Sequence, residues 1–259
     1  MPIFLVGAQR SGTNMLVRSL QTCPEFEVYN ENNRRAFTSY RLRSDETIVE
    51  IINRSRHRYV LFKPLIDSHR VDELLDELLS ATPGLALWAY RNVDGRVRSS
   101  VAKFGDTNLR AMEEIAQGMG IHRWEAQRLS SKSLDLIRSF DYETLNAASA
   151  SALFWYVRNS LFFELHLDAR PDVMLVSYDA FVADPEGCMR LLCDRISLPW
   201  DPRLTAHVAP RAPGNTERLV LEPAIRRACE DLQERLDAAE RAGRRKIAAR
   251  HWGSEEKRD

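Results

Sequence analysis

Near the start of the chain, Ile3-Phe4-Leu5-Val6-Gly7-Ala8-Gln9-Arg10-Ser11-Gly12-Thr13-Asn14 runs from four apolar residues directly into a loop framed by glycines. Four apolar residues without alternation suit a strand buried on both faces, as in a parallel sheet. Gly7 and Gly12, five positions apart, let the backbone curl so that successive N–H groups face one concavity. A helical pattern from Gly12 to Gln21 follows, and its N-terminus adds partial positive charge to that concavity. Arg10, Ser11, Thr13 and Asn14 supply polar side chains around it. Strand, loop and helix in this order are machinery for holding an anion.

Outward from this unit, apolar runs bounded by turn residues predict further buried strands at Tyr59–Phe62, Leu85–Tyr90 and Val173–Ser177. Helical patterns lie between them: Arg70 to Ser80, with Val71, Leu74, Leu75, Leu78 and Leu79 on one face, and Asn92 to Lys103. Alternation of this kind implies right-handed crossovers in an α/β fold: a P-loop-containing, three-layer α/β/α architecture with a parallel β-sheet flanked by helices. Beyond the sheet, a long helix is expected over Ser149 to Leu167. The polar stretch Asp106 to Ala148 and the charged helix Glu222 to Arg250, with Ile225, Cys229, Leu232 and Leu236 on one face, read as additions. Pro199, Pro202, Pro210, Pro213 and Gly214 punctuate the loop before that last helix. We expect one domain over residues 1–259, with a helical insertion at about 105–148 and a C-terminal helical extension at about 222–250.

Composition narrows the function classes. Hydrophobic residues make up 44% and charged residues 29%, enough apolar surface for a core. Lys plus Arg equals Asp plus Glu at 37 each, so nothing marks a general nucleic-acid binder and a polyanion would need a local cluster of cations. Cys23, Cys188, Cys193 and Cys229 form no C-x-x-C pair or zinc pattern, and we read them as buried thiols of a reducing compartment. The six histidines form no ligand cluster, so no metal is expected. The start Met1 to Gly7 lacks a basic n-region, and no apolar run approaches membrane-spanning length. A soluble, cytoplasmic protein is expected, with disorder confined to Ser254 to Asp259.

The loop departs from a nucleoside-triphosphate loop in a telling way. Such a loop places Lys and Ser/Thr after its last glycine, with the hydroxyl on Mg²⁺. Here Thr13 follows Gly12, Arg10 precedes it, and no apolar strand ends directly in an Asp. A P-loop small-metabolite kinase is therefore the alternative reading, and a non-catalytic nucleotide-binding protein is another. Arg10-Ser11-Gly12-Thr13 resembles the 5′-phosphosulfate loop of the sulfotransferase family, closer to its Arg-loop bacterial and tyrosylprotein members than to the Lys-loop steroid and phenol enzymes. Arg91 at the end of one strand and Ser99 eight residues later resemble the family's 3′-phosphate pair. Tyr178-Asp179-Ala180-Phe181 is similar to the segment that lies near the adenosine. The resemblance implies 3′-phosphoadenosine 5′-phosphosulfate as co-substrate, bound through Gly7, Arg10, Ser11, Gly12, Thr13, Asn14, Arg91, Ser99 and Tyr178, without a metal.

For catalysis, the transferred sulfuryl group needs fixed cations at the leaving oxygen and a base for the acceptor's proton. Arg10 is the first candidate cation, because its planar fork bridges two oxygens. Lys63, in Phe62-Lys63-Pro64, is the second, by similarity to the family's strand-end lysine. Glu31, in Val28-Tyr29-Asn30-Glu31-Asn32, is the candidate base, since Arg-loop relatives place a Glu in a comparable segment. The cytosolic enzymes' histidine position is Leu65 here, which takes no proton; His69 and His122 are fallback bases. The run Arg241, Arg244, Arg245 and Lys246 lacks the family's order and reads as a solvated helix end rather than a 3′-phosphate ligand. Trp88, Phe104, Trp124, Phe154, Trp155 and Tyr156 are core residues or the lining of an aromatic-tolerant acceptor pocket. The acceptor class stays open among a small hydroxylated molecule, a carbohydrate and a lipid-linked metabolite, with Asp106–Ala148 and Asp201–Leu219 expected to shape its pocket. A homodimer is expected by analogy with the family.

Overall fold

The computed structural model describes residues 1–78, 82–120, 122–212 and 217–255. Leu79, Ser80, Pro213, Gly214 and the charged end from residue 256 onward lie outside the described residues. In chain order the first half holds β1 (Pro2–Gly7), α1 (Thr13–Gln21), β2 (Phe26–Tyr29), β3 (Phe37–Thr38), β4 (Arg41–Leu42), α2 (Asp45–Arg54) and β5 (Tyr59–Phe62). A 3₁₀ turn (Leu65–Arg70), a short α3 (Val71–Glu73) and a π-turn (Leu74–Leu78) lead to β6 (Leu85–Tyr90). After it come α4 (Val93–Phe104), α5 (Thr107–Ala116), α6 (Ser131–Arg138), α7 (Ala147–Glu164), β7 (Val173–Ser177), α8 (Tyr178–Ala183), α9 (Pro185–Ile196) and α10 (Pro223–Glu255).

The four apolar runs read as strands are β1, β5, β6 and β7, each parallel to its neighbour in the order β2-β5-β1-β6-β7. The edge strand β2 escapes a reading by apolar runs because Glu27 interrupts it. Alternate residues of the central strand face opposite layers. Phe4 and Val6 join a core with Trp88, Phe154, Trp155 and α10, while Ile3 and Leu5 join one with α1 and α9. The chain leaves β1 toward the β2 edge and leaves β6 toward the β7 edge, so the switch point lies between β1 and β6. At such a point the loops diverge beyond the carboxyl ends of the strands and leave a crevice.

The helix expected over Arg70 to Ser80 begins earlier and changes pitch, from 3₁₀ to α to π. Its tight first turn carries Ser68 against the Gly7 backbone, where the hydroxyl receives the Gly7 N–H at 3.0 Å and donates to the Leu65 carbonyl at 2.6 Å. The helix expected at Ser149 starts at Ala147, because the Asn146 side chain caps it by accepting from the Ser149 N–H at 2.7 Å. Asp184 caps α9 in the same way, with Pro185 in its first turn.

The two additions pack onto this frame. In α5, Ala111, Met112 and Ile115 are buried, and Asn108 donates to Ser100 at 2.9 Å and to Ser151 at 3.1 Å. In α10, Ile225, Cys229, Leu232 and Leu236 are buried as their spacing predicts; Ile225, Leu232 and Leu236 each contribute roughly 1.5–3 kcal/mol. All four cysteines are unpaired, and three are buried. Among the described residues no helix is long and apolar enough to cross a membrane.

Candidate active site

A cavity of about 860 Å³ occupies the crevice, lined by the first loop, Glu31, Lys63, Arg91, Ser99 and Tyr178 among others. The first loop owes its path to its glycines. Gly7 has φ +122°, and a Cβ there would lie 2.2 Å from the Ala89 carbonyl oxygen, so β1 and β6 close up only with glycine at this position. Its N–H is taken by Ser68, and Gly7 and Ser11 stand behind the lining rather than in it. Arg10 and Gly12 also have positive φ, at +71° and +83°. Arg10 turns toward α4, where its Nε donates to the Ser99 hydroxyl at 3.0 Å. Thr13 and Asn14, the first residues of α1, line the floor.

Beneath the loop lies Arg96, fully buried. Its Nε donates to the Gln9 carbonyl at 3.1 Å, its Nη1 to Ser151 at 2.8 Å, and its plane covers the Phe154 ring at 4.6 Å. No carboxylate among the described residues pairs with it, and burial pulls its pKa down to about 9. A guanidinium without a counter-ion both braces the loop and adds positive potential beneath it.

On the β5 side, the parallel register pairs Tyr29 with Phe62. Glu31, two residues beyond Tyr29, and Lys63, one beyond Phe62, are thereby delivered to the same edge of the sheet. Lys63 Nζ lies 3.2 Å from Glu31 Oε2 and donates to Asn14 Oδ1 at 2.6 Å. Glu31 Oε2 is buried, with the Lys63 ammonium as its ion-pair partner.

On the β6 side, Arg91 lies over the Tyr178 ring at 4.5 Å, and its Nε is buried without a partner. Two glycines make room for this stack. A Cβ on Gly12 would come within 2.1 Å of the Tyr178 ring, and one on Gly95 within 2.9 Å of Arg91 Nε. Asp179 accepts from the Asn92 backbone N–H at 2.7 Å, tying the β7–α8 turn to the β6–α4 turn. Arg211 donates to the Tyr178 hydroxyl.

The structure thus gathers Arg10, Gly12, Thr13, Asn14, Glu31, Lys63, Arg91, Ser99 and Tyr178 around one cavity. His69 and His122 do not line it. His69 is buried away from it, and burial, helped by Arg158, Arg41 and Arg70, holds its pKa down at about 3. Arg241, Arg244, Arg245 and Lys246 do not line it either; Arg244 pairs with Glu240 on its own helix. Sequence reasoning missed Gln9, Met15, the turn Ser39-Tyr40-Arg41, Ile66 and Lys103. Of these Lys103 was findable, since it follows Ser99 by four residues and so shares its helical face. Phe104 and Trp124 line the cavity, whereas Trp88, Phe154 and Trp155 are core.

A model of the sulfotransferase family matches residues 2–202. Among solved structures, the chain is similar to a sulfotransferase from Alicyclobacillus acidocaldarius, at 19% identity and TM-score 0.50 over 93% of this chain and 94% of that one. It is also similar to the sulfotransferase domain of the Synechococcus PCC 7002 olefin synthase, at 14% identity and TM-score 0.52 over 92% and 94%. A third likeness is to the sulfotransferase domain of the curacin biosynthetic pathway, at 14% identity and TM-score 0.50 over 90% and 98%. No curated protein sequence matches the chain.

Proposed function

Because the chain belongs to the sulfotransferase family, we propose that it transfers a sulfuryl group from 3′-phosphoadenosine 5′-phosphosulfate to an acceptor hydroxyl or amine, without a metal, as a single-domain cytoplasmic enzyme. The observation that carries this reading is the convergence of Arg10, Glu31, Lys63, Arg91 and Ser99 on one cavity, from the loops after β1, β2, β5 and β6 and from α4. The buried, partnerless Arg91 Nε, on a residue that lines the cavity, is a donor that suits a phosphate-rich ligand. The kinase alternative loses its footing with the family match, and the loop's Thr13 after Gly12 agrees.

The donor supplies the sulfuryl group and keeps the electron pair of the broken bridging S–O bond. Gly12, Thr13 and Asn14 hold its 5′ side at the N-terminus of α1, where backbone N–H groups and the helix end favour negative charge. Arg91 and Ser99 hold the 3′-phosphate, and Tyr178 packs beside the adenosine. Arg10 and Lys63 meet the charge that grows on the leaving oxygen. Glu31 takes the acceptor's proton as the new O–S bond forms. Its pairing with Lys63 at 3.2 Å keeps the carboxylate aimed, and that carboxylate gives the proton a destination.

The test is calorimetric titration of 3′-phosphoadenosine 5′-phosphate (PAP), without metal, into wild type and Arg91→Ala. Wild type is expected to bind, and Arg91→Ala to bind about tenfold or more weakly, since a charge-assisted phosphate contact is worth about 1.5–3 kcal/mol. Absence of PAP binding, or binding of ATP with Mg²⁺ in its place, would overturn the reading.

A further inference from the structure

The acceptor end of the cavity carries its own signature. Between β3 and β4, Ser39 and Tyr40 both adopt positive φ, +50° and +66°, in a two-residue turn where Asn and Gly are the comfortable residues. Asp67, 2% exposed, holds that turn in place: it accepts the Leu42 N–H at 2.8 Å and pairs with Arg41 at 3.2 Å. The strained tip presents Tyr40, 60% exposed, to the cavity. Backbone strain held by its surroundings is a feature of ligand clamps. Ile66, Phe104 and Trp124 line the same cavity. Trp124 is braced, with Phe154 edge-on at 5.7 Å and the buried Arg158 over its ring at 5.2 Å.

The charge is one-sided. Among the described residues, Glu31 is the one carboxylate lining the cavity, and Lys63 pairs with it. Arg10 Nε donates to Ser99 and Arg91 covers Tyr178, and both serve the donor in the reading above. Lys103, exposed one helical turn beyond Ser99 and next to Phe104, has no ion-pair partner among the described residues. Arg41 spends one nitrogen, Nη1, on Asp67 and also lines the cavity. Aromatic surfaces and two cations lining one cavity suit a flat apolar body that bears a negative group.

Resting on the sulfuryl-transfer reading above, the geometry points to an acceptor with a flat, mainly apolar body, a hydroxyl directed at Glu31 and an anionic substituent directed at Lys103 and Arg41, with Tyr40 as the stacking residue that selects it. Neutral sugars lack both the flat apolar face and the charge.

With PAP saturating, fluorescence titrations of 6-hydroxy-2-naphthoate and of 2-naphthol compare two probes that differ only in the carboxylate. Wild type is expected to bind the carboxylate about tenfold more tightly, as a charge-assisted contact predicts. Lys103→Glu should abolish or reverse that preference, Arg41→Gln should reduce it, and Tyr40→Ala should weaken both probes. A separate PAP titration of each protein reports folding and the donor site. If wild type fails to bind PAP, the donor reading is overturned. If PAP binds but neither probe does, both probes bind equally, or the preference survives Lys103→Glu, the acceptor class is overturned and the donor reading stands.

Discussion

Gly12→Ala is the sharpest test of how the cavity is built. The new Cβ would lie 2.1 Å from Tyr178 Cδ2, 2.9 Å from Cε2 and 3.0 Å from Cγ, whereas carbon atoms rest about 3.5–4.0 Å apart. Relief requires moving the ring by roughly 1.5 Å, but Arg91 covers it at 4.5 Å and Arg211 holds its hydroxyl. Overpacking of this kind costs about 1–3 kcal/mol. The φ of +83° at this position adds about 1–2 kcal/mol for a residue with a Cβ. The sum, roughly 2–5 kcal/mol, corresponds to a fall in melting temperature of roughly 5–15 °C for a chain of this size. Calorimetric melting of wild type, Gly12→Ala, Tyr178→Ala and the double variant separates the two contributions. In the Tyr178→Ala background the collision disappears, and Gly12→Ala should cost only the backbone share, leaving a coupling of about 1–3 kcal/mol. Equal costs in the two backgrounds, within about 0.5 kcal/mol, would refute the packing argument. PAP affinity should fall with stability in Gly12→Ala, because Arg91 moves with the ring it covers.

Two further perturbations test the chemistry and the scaffold. Glu31→Gln keeps the shape beside Lys63 but cannot accept a proton, so turnover with 6-hydroxy-2-naphthoate or 2-naphthol should fall about 10²–10⁴-fold while PAP affinity holds; a loss below about tenfold would remove Glu31 as the base. His69, held at about 3 by burial against an ordinary 6.5, stays neutral when folded but takes a proton when unfolded at intermediate pH. Its contribution is complete above about pH 6.5 and is lost as pH falls toward 3, a loss of about 3 kcal/mol by pH 4. Denaturant titrations at several pH values should show a shallower acid slope in His69→Gln. Burial raises the Asp67 carboxyl, which acts in the opposite sense, so the wild-type minus variant difference isolates the imidazole; identical slopes would refute the assignment.

Local patterns carried much of this protein in its sequence. Uninterrupted apolar runs marked β1, β5, β6 and β7, since a strand covered on both faces must be apolar throughout. Glycine spacing marked the loop, and helical periodicity marked the buried face of α10. Arg91 and Ser99 stood out because strand end and helix pitch together fix where they point. What no local pattern held was contact between distant segments. The edge strand β2 became visible only through its register with β5, and that register brings Glu31 to Lys63. Arg96 reads as one more surface arginine of a polar helix until α7 covers it and the Gln9 carbonyl receives it. Tyr40, Arg41 and Trp124 reach the cavity through a strained turn and a 3₁₀ segment whose positions rest on Asp67 and Arg158, residues far from them in the chain. Periodicity and turn chemistry are set by neighbours along the chain and can be read there. A partner chosen by the packing of remote segments is fixed only when the whole fold closes.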